Sequence, residues 1–323
     1  MDKFYFLTHD IHDPYFNLAS EEYLLKHTDR FYIYLWINEP AVIVGVNQNA
    51  SAEVNFSFVK ENQIKVVRRL TGGGAVYHDL NNICYTVIAP YKEGENYYRK
   101  FTAPVIEYLS SLKIKAEFTG RNDLVVDGKK ISGNAQTVYK DRIMHHGTLL
   151  FDTDTSVLSS ALNPSKLKVE SKGIKSVKSR VVNIRSLLKN DMGMDEFKNG
   201  LIEHFLKNCE RTEFSAEDKA KIESLVNTKY SDFNWNIGYS PKASNVFEHK
   251  CEFGILKLVF DLIDGKIANA FVSGDFFSKK PIEEFTEKLN GTTYNYESLI
   301  KAFSRVEDYI VGATAEAIVK ELF

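Results

Sequence analysis

The sequence has little cysteine, and its three thiols, Cys84, Cys209 and Cys251, stand far apart. They are odd in number and fall into no CxxC or Cys/His ligand spacing, which argues against a disulfide framework and a structural zinc site and points to a reducing compartment. Charge of one sign is lacking too. With 41 basic and 43 acidic residues the formal net charge is −2, so no whole-molecule field draws the chain to nucleic acid or a membrane, and any anion site must come from a local cluster. Long apolar runs are also missing. Ala41 to Val46 falls far short of a membrane span, and Met1 to Asp10 reaches acidic residues too soon for a signal peptide. The expectation is a cytoplasmic protein with neither nucleic acid nor membrane as partner.

What is present suffices for a large core: 44% hydrophobic and 13% aromatic residues, with 26% charged residues to solvate the surface. A chain of 323 residues accommodates one large domain and a smaller companion. A helix is expected over Phe16 to Thr28, capped by Asn17 or Ser20, with Glu21 and Glu22 in its first turn. Strands are expected at Phe31 to Trp36, Ala41 to Val44, Ile64 to Arg68 and Ile83 to Ala89. Phe101, Val105, Tyr108, Leu109 and Leu112 fall at helical spacing, with Pro104 predicting a kink or a late start. Asp127-Gly128 between β-type runs predicts a hairpin. Ala135 to Tyr139 and Ile143 to Phe151 extend it into a largely antiparallel meander, hence an α+β fold.

Asn163 to Arg180 carries six basic residues against Glu170 alone and reads as a mobile basic loop. Helical patterns follow around Phe197, Leu201 and Phe205, and behind the capping-box pattern Ser215-Ala216-Glu217-Asp218. The polar stretch Asn236 to Asn245 predicts a boundary between a domain of residues 1–245 and one of 246–323, the latter built on a second hairpin at Asp264-Gly265 and further helices.

Two clusters carry chemistry. Gly72-Gly73-Gly74 removes side chains so that backbone N–H groups can surround an anionic oxygen, and Arg68 and Arg69 add charge beside them. An ordinary tight connection with two solvated arginines fits those residues equally well. Lys130 stands just beyond the Asp-Gly turn, where a compact cation can stabilise charge gathering in a transition state. Asp123 can offer a hard oxygen to Mg²⁺ or merely a surface salt bridge. His78 and His146 can orient ligand or backbone groups, though a lone histidine is more often structural.

Arg68 to Asp79 (RRLTGGGAVYHD), Gly120 to Leu124 with Lys129 to Ala135 (GRNDL, KKISGNA), and His145 to Leu150 (HHGTLL) resemble, in the same order, the motifs of lipoate-protein ligases. Asp13 to Ala19, Lys172 to Val181, and the segment from Trp235-Asn236 into a small C-terminal domain extend the likeness over most of the chain. The resemblance implies a biotin/lipoate ligase-like catalytic fold of mixed, largely antiparallel sheets flanked by helices, with an accessory C-terminal domain. It implies ATP and lipoate as substrates, Mg²⁺, and a lipoyl-AMP intermediate. The acceptor implied is the apo lipoyl domain of a 2-oxoacid dehydrogenase E2 subunit or the glycine-cleavage H protein.

By the same resemblance Arg69 and the loop Gly72, Gly73, Gly74, Ala75, Val76, Tyr77, His78 hold lipoate and nucleotide. Lys130 touches the acyl carbonyl and the α-phosphate, and Lys172 to Val181 is the adenylate-binding loop. Trp36, Val42, Val44, Val76 and Tyr77 are candidate walls for the apolar tail, Val42 and Val44 serving as well for plain core. One rival is an octanoyltransferase working through Cys84, which the apolar strand around that thiol disfavours. Another is a non-catalytic lipoate-binding protein; biotin ligases match the motifs less well.

Overall fold

The computed structural model describes residues 3–120, 122–162, 181–238 and 245–322. The basic stretch 163–180, Arg121 and most of the expected boundary segment lie outside the described residues. Strands run in chain order as β1 (Phe4–Thr8), β2 (Phe31–Ile37), β3 (Ala41–Val44), β4 (Lys65–Arg68), β5 (Val76–His78), β6 (Asn82–Pro90) and β7 (Glu117–Thr119). They continue as β8 (Asp123–Val126), β9 (Lys129–Tyr139), β10 (Arg142–Leu150), β11 (Glu210–Thr212), β12 (Asn245–Cys251), β13 (Gly254–Ile263) and β14 (Lys266–Gly274).

Eight of these form one mixed sheet in the order β11-β1-β2-β6-β10-β9-β8-β7. Only β1 pairs in parallel, with β11 and β2; the rest is the expected antiparallel meander. A second, three-stranded sheet β4-β3-β5 carries the glycine segment on the connection between β4 and β5.

Side chains along β2 alternate between two cores, as a period of two requires. Ile33, Leu35 and Ile37 face the helices Tyr97–Ser111 and Met194–Leu206. Tyr32, Tyr34 and Trp36 face the helix Pro14–Lys26 and the small sheet. A separate core fills the C-terminal unit, where the antiparallel sheet β12-β13-β14 packs on the helices Ile282–Leu289, Tyr296–Ala302 and Ala315–Val319. No described helix is long and apolar enough to cross a membrane.

One expectation about helices is corrected and another narrowed. The first helix begins at Pro14, not Phe16, because Asp13 accepts from Tyr15 N at 2.7 Å as N-cap and Pro14 supplies a first-turn residue that needs no N–H. Glu21 and Glu22 therefore sit about two turns inside it, 1% and 5% exposed, rather than at the positive dipole end. Of the two alternatives at Pro104 the late start is excluded: Asn96 caps the helix by accepting from Arg99 N at 3.2 Å, and Pro104 lies in its interior. The Ser215 capping box forms as expected.

Candidate active site

The glycine segment is folded by the two arginines before it. Arg68 is buried and gives its donors to backbone: Nη1 to the carbonyls of Gly45 and Gln48 at 2.8 and 2.6 Å, and Nε to that of Trp235 at 2.8 Å. Arg69 donates from Nη2 to the carbonyls of Gly72 and Gly74 at 2.7 and 2.9 Å, from Nη1 to Ile43, and from Nε to Thr71 Oγ1. Neither is a solvated charge beside an empty loop. Burial pushes both guanidinium groups down to about 10, so they stay charged at neutral pH while wrapped in carbonyls.

A polar chain continues from Arg69 across the sheet. Thr71 Oγ1 lies 2.8 Å from His146 Nε2, and His146 Nδ1 lies 2.9 Å from Glu21 Oε1. Thr86 donates to that same oxygen at 2.5 Å and accepts from Trp36 Nε1 at 2.9 Å. With Nδ1 donating to the Glu21 carboxyl, Nε2 accepts the Thr71 hydroxyl proton, which fixes one tautomer throughout. Strand register places these groups together: Thr86, His146 and Ala135 are direct neighbours across β6, β10 and β9.

The Asp127-Gly128 turn forms as expected, both residues having positive φ (50° and 73°), as a type I′ hairpin demands. Beyond it the pairing slips, Leu124 opposing Ser132 but Val125 opposing Lys130, so Ile131 is an extra residue. Such a bulge re-aims side chains. Lys130 thereby comes onto the face of Gly133, where an added Cβ would stand only 2.8 Å from its Nζ. The lysine lies over the bare strand, and Asp123 Oδ1 pairs with its Nζ at 2.8 Å. Val182 N, donating to Lys130 O at 2.9 Å, pins the backbone beneath.

These parts converge on a cavity of about 160 Å³. Arg69, Gly72, Gly73, Gly74, Ala75, Val76, His78 and Lys130 all line it. Tyr77 does not. Alternation along β5 sends Val76 and His78 to the cavity and Tyr77 to the opposite side, into the core with Val42 and Val44. Leu18, Trp36 and Ile43 complete an apolar end. The volume is below the roughly 300 Å³ at which pockets for drug-sized ligands begin, so it suits a slender extended chain.

Sequence reasoning passed over Asn122 and Asn134, which line the same cavity and clasp each other through amide–carbonyl bonds of 2.7 and 3.0 Å. Their place inside the quoted motifs was the available signal. Phe277, another lining residue, comes from the C-terminal unit and had none. A wider depression of about 450 Å³ on the C-terminal unit contains no member of either cluster.

Two candidates are held in their neutral forms. Burial raises the Cys84 thiol well above its ordinary range, the reverse of what a nucleophile needs. His78 is lowered to about 3 by burial first, then by the Arg69 guanidinium, and stays neutral beside Asn38 at 3.1 Å. For Mg²⁺, no three His, Cys, Asp or Glu side chains gather among the described residues. The enclosed Asp123 Oδ1 has an ion-pair partner but no aligned hydrogen bond. One carboxylate of this kind fits an ion that takes its other ligands from phosphates and water.

Comparison with known proteins gives the family. Residues 13–206 match the family model of the lipoyl protein ligase A/B catalytic domain, and 240–322 that of the bacterial lipoate protein ligase C-terminus. Lipoate-protein ligase LplJ of Bacillus subtilis is 42% identical over 88% of each chain, and lipoate-protein ligase 1 of Staphylococcus aureus 40% identical over 93% of each. Among solved structures, Plasmodium falciparum LipL1 in complex with lipoate superposes with a TM-score of 0.82 at 25% identity, covering 99% of this chain and 98% of that one. A lipoate-protein ligase A bound with ATP gives 0.64 at 26% identity over 74% of this chain and 99% of that one. The Thermoplasma acidophilum bipartite ligase, described with its E2 lipoyl domain, gives 0.66 at 27% identity over 76% and 100%. With both units of the chain matched and relatives at 40% identity or more covering most of it, the chain is a member of the lipoate-protein ligase family.

Proposed function

We propose that the chain joins lipoate to an acceptor lysine in two half-reactions at this one cavity. A lipoate carboxylate oxygen attacks the α-phosphorus of ATP and pyrophosphate leaves; an acceptor amine then attacks the acyl carbon of the lipoyl-AMP, and AMP leaves with the bonding electron pair. The observation that carries this is the placement of Lys130 Nζ over Gly133, opposite the glycine loop and beside an apolar slot. The slot takes the tail, Lys130 meets negative charge first on the phosphoryl and then on the carbonyl oxygen, and the backbone N–H groups of Gly74 and Ala75 face the phosphate.

Arg69 acts by shaping the loop, Tyr77 by supporting it from behind, and His78 as a neutral wall of the cavity. Asp123 both orients Lys130 and offers a carboxylate to Mg²⁺, which when bound neutralises phosphate charge. The same reading divides the chain after residue 245 and takes as acceptors apo lipoyl domains of 2-oxoacid dehydrogenase E2 subunits or the glycine-cleavage H protein. It places the protein in the cytoplasm, where Cys84, Cys209 and Cys251, all free thiols, stay reduced. Lipoate-dependent ATP–pyrophosphate exchange, followed by the mass of each apo-acceptor after incubation with ATP, Mg²⁺ and lipoate, tests it. Exchange and a lipoyl mass increment are expected; absence of exchange with active protein overturns the first half-reaction.

A further inference from the structure

One wall of the cavity is not built by the catalytic sheets. As β14 ends, the chain runs on as Gly274-Asp275-Phe276-Phe277-Ser278 and crosses the glycine loop. Three hydrogen bonds seat it: Gly274 N donates to Asn47 O at 2.8 Å, Gly73 N to Phe276 O at 3.3 Å, and Asn47 Nδ2 to Ser278 Oγ at 3.1 Å. Phe276 is fully buried in the C-terminal core. Its neighbour Phe277 lies on the catalytic side, its ring 6.2 Å from that of Tyr98 and within 3.3 Å of where a Cβ of residue 73 would be.

Residue 72 shows how closely this strap sits. A methyl group there would stand 2.4 Å from Phe276 O and 3.0 Å from Phe277 Cα, both backbone atoms that no rotamer change can move away. Position 74, by contrast, has open space around it. Gly72 is therefore bare for the strap rather than for a ligand.

An acyl-phosphate anhydride formed beside this loop has a competing fate. Water oxygen attacks the acyl carbon, the acyl–oxygen bond to phosphate breaks, AMP leaves, and the acid returns with the surplus proton lost to solvent. We propose that Phe277, delivered by the C-terminal unit, is the water-excluding wall of the active site: its ring closes the glycine-loop end of the cavity and keeps the intermediate for the acceptor amine. This rests on the two-step ligase reading above.

The test compares the full-length chain with Phe277→Ala, Phe277→Leu and Gly72→Ala, each checked for cooperative unfolding. Three rates are read: lipoate-dependent ATP–pyrophosphate exchange, AMP release without acceptor, and acceptor lipoylation. Phe277→Ala is expected to raise AMP released per acceptor lipoylated by about tenfold while exchange persists, the signature of lost water exclusion. Phe277→Leu restores coupling because it keeps the apolar bulk, and Gly72→Ala uncouples with Phe277 intact because it unseats the strap. An unchanged ratio in Phe277→Ala or in Gly72→Ala overturns the proposal. Absence of exchange in the wild-type chain would instead remove the ligase reading beneath it, so the two failures are distinguishable.

Discussion

Lys130 is held by what its neighbours lack. Gly133 gives it a surface to lie on, and a methyl there would meet its Nζ at 2.8 Å and Cε at 2.9 Å, the far end of a flexible side chain. Gly133→Ala should therefore displace the lysine without unfolding the protein, and Lys130→Ala should remove its charge altogether. Expected losses are about a hundredfold or more for Lys130→Ala in both pyrophosphate exchange and transfer from preformed lipoyl-AMP, with a smaller loss in both for Gly133→Ala and an unchanged melting temperature. A Lys130→Ala loss confined to one half-reaction would refute the double role.

Legibility at this scale depended on distance along the chain. The Asp-Gly turn before Lys130 is a local signal and was readable; the bulge at Ile131 arises from pairing with β8 and was not. Arg68 read as free charge because its acceptors lie elsewhere, on Gly45 about two dozen positions before and on Trp235 and Asn236 some 167 or 168 positions after. Arg69 did so because its acceptors Gly72 and Gly74, though near in sequence, come within reach only once the loop is folded. A phenylalanine brought from the C-terminal unit to the catalytic loop leaves no trace in any spacing.

Among elements, the helix Pro14–Lys26 deserves its corrected start. Placed from Pro14, it is buried almost all round, and its carboxylates must find partners in the interior rather than at a dipole. Glu22 meets Lys26 at 2.8 Å, Lys229 at 2.7 Å and Tyr230 at 2.8 Å. Burial acts to raise its carboxyl, but Lys229 and then Lys26 overcome that and hold it below its ordinary value. The pair ties the helix to the segment leading out of the catalytic sheets. Glu22→Gln should cost roughly 2 kcal/mol, because it leaves a half-buried ammonium with a neutral neighbour. Urea unfolding would read it; a change within about 0.5 kcal/mol, the range of ordinary surface substitutions, would show that the cluster adds nothing.

For the whole molecule, buried imidazoles set the response to acid. His78 and His145 are each lowered to about 3, and His9 to about 4, with burial the leading cause. The sign follows from proton counting. Between pH 6.5 and these values the unfolded chain binds protons that the folded chain refuses, so stability is full above 6.5 and falls as pH drops. Each imidazole contributes a slope of up to roughly 1.4 kcal/mol per pH unit. Denaturant unfolding from pH 7.5 to 5 should show steep loss, and His145→Phe, placed among Tyr85, Tyr98 and Phe101, should take one imidazole out of the slope. Stability flat across that range would contradict the lowering of all three, His78 and His145 being buried and His9 half-buried.

The chain has only two tryptophans, and the fold puts them at two informative places. Trp36 lines the candidate-site cavity, while Trp235 donates from Nε1 to Arg68 O at 3.0 Å and lies under the Lys229 ammonium at 4.0 Å, where the large sheets hand over to the C-terminal unit. The molecule thus carries its own pair of optical probes. Emission from a Trp36→Phe variant reports the handover alone, and its difference from the wild-type signal reports the filling of the slot, with no label added.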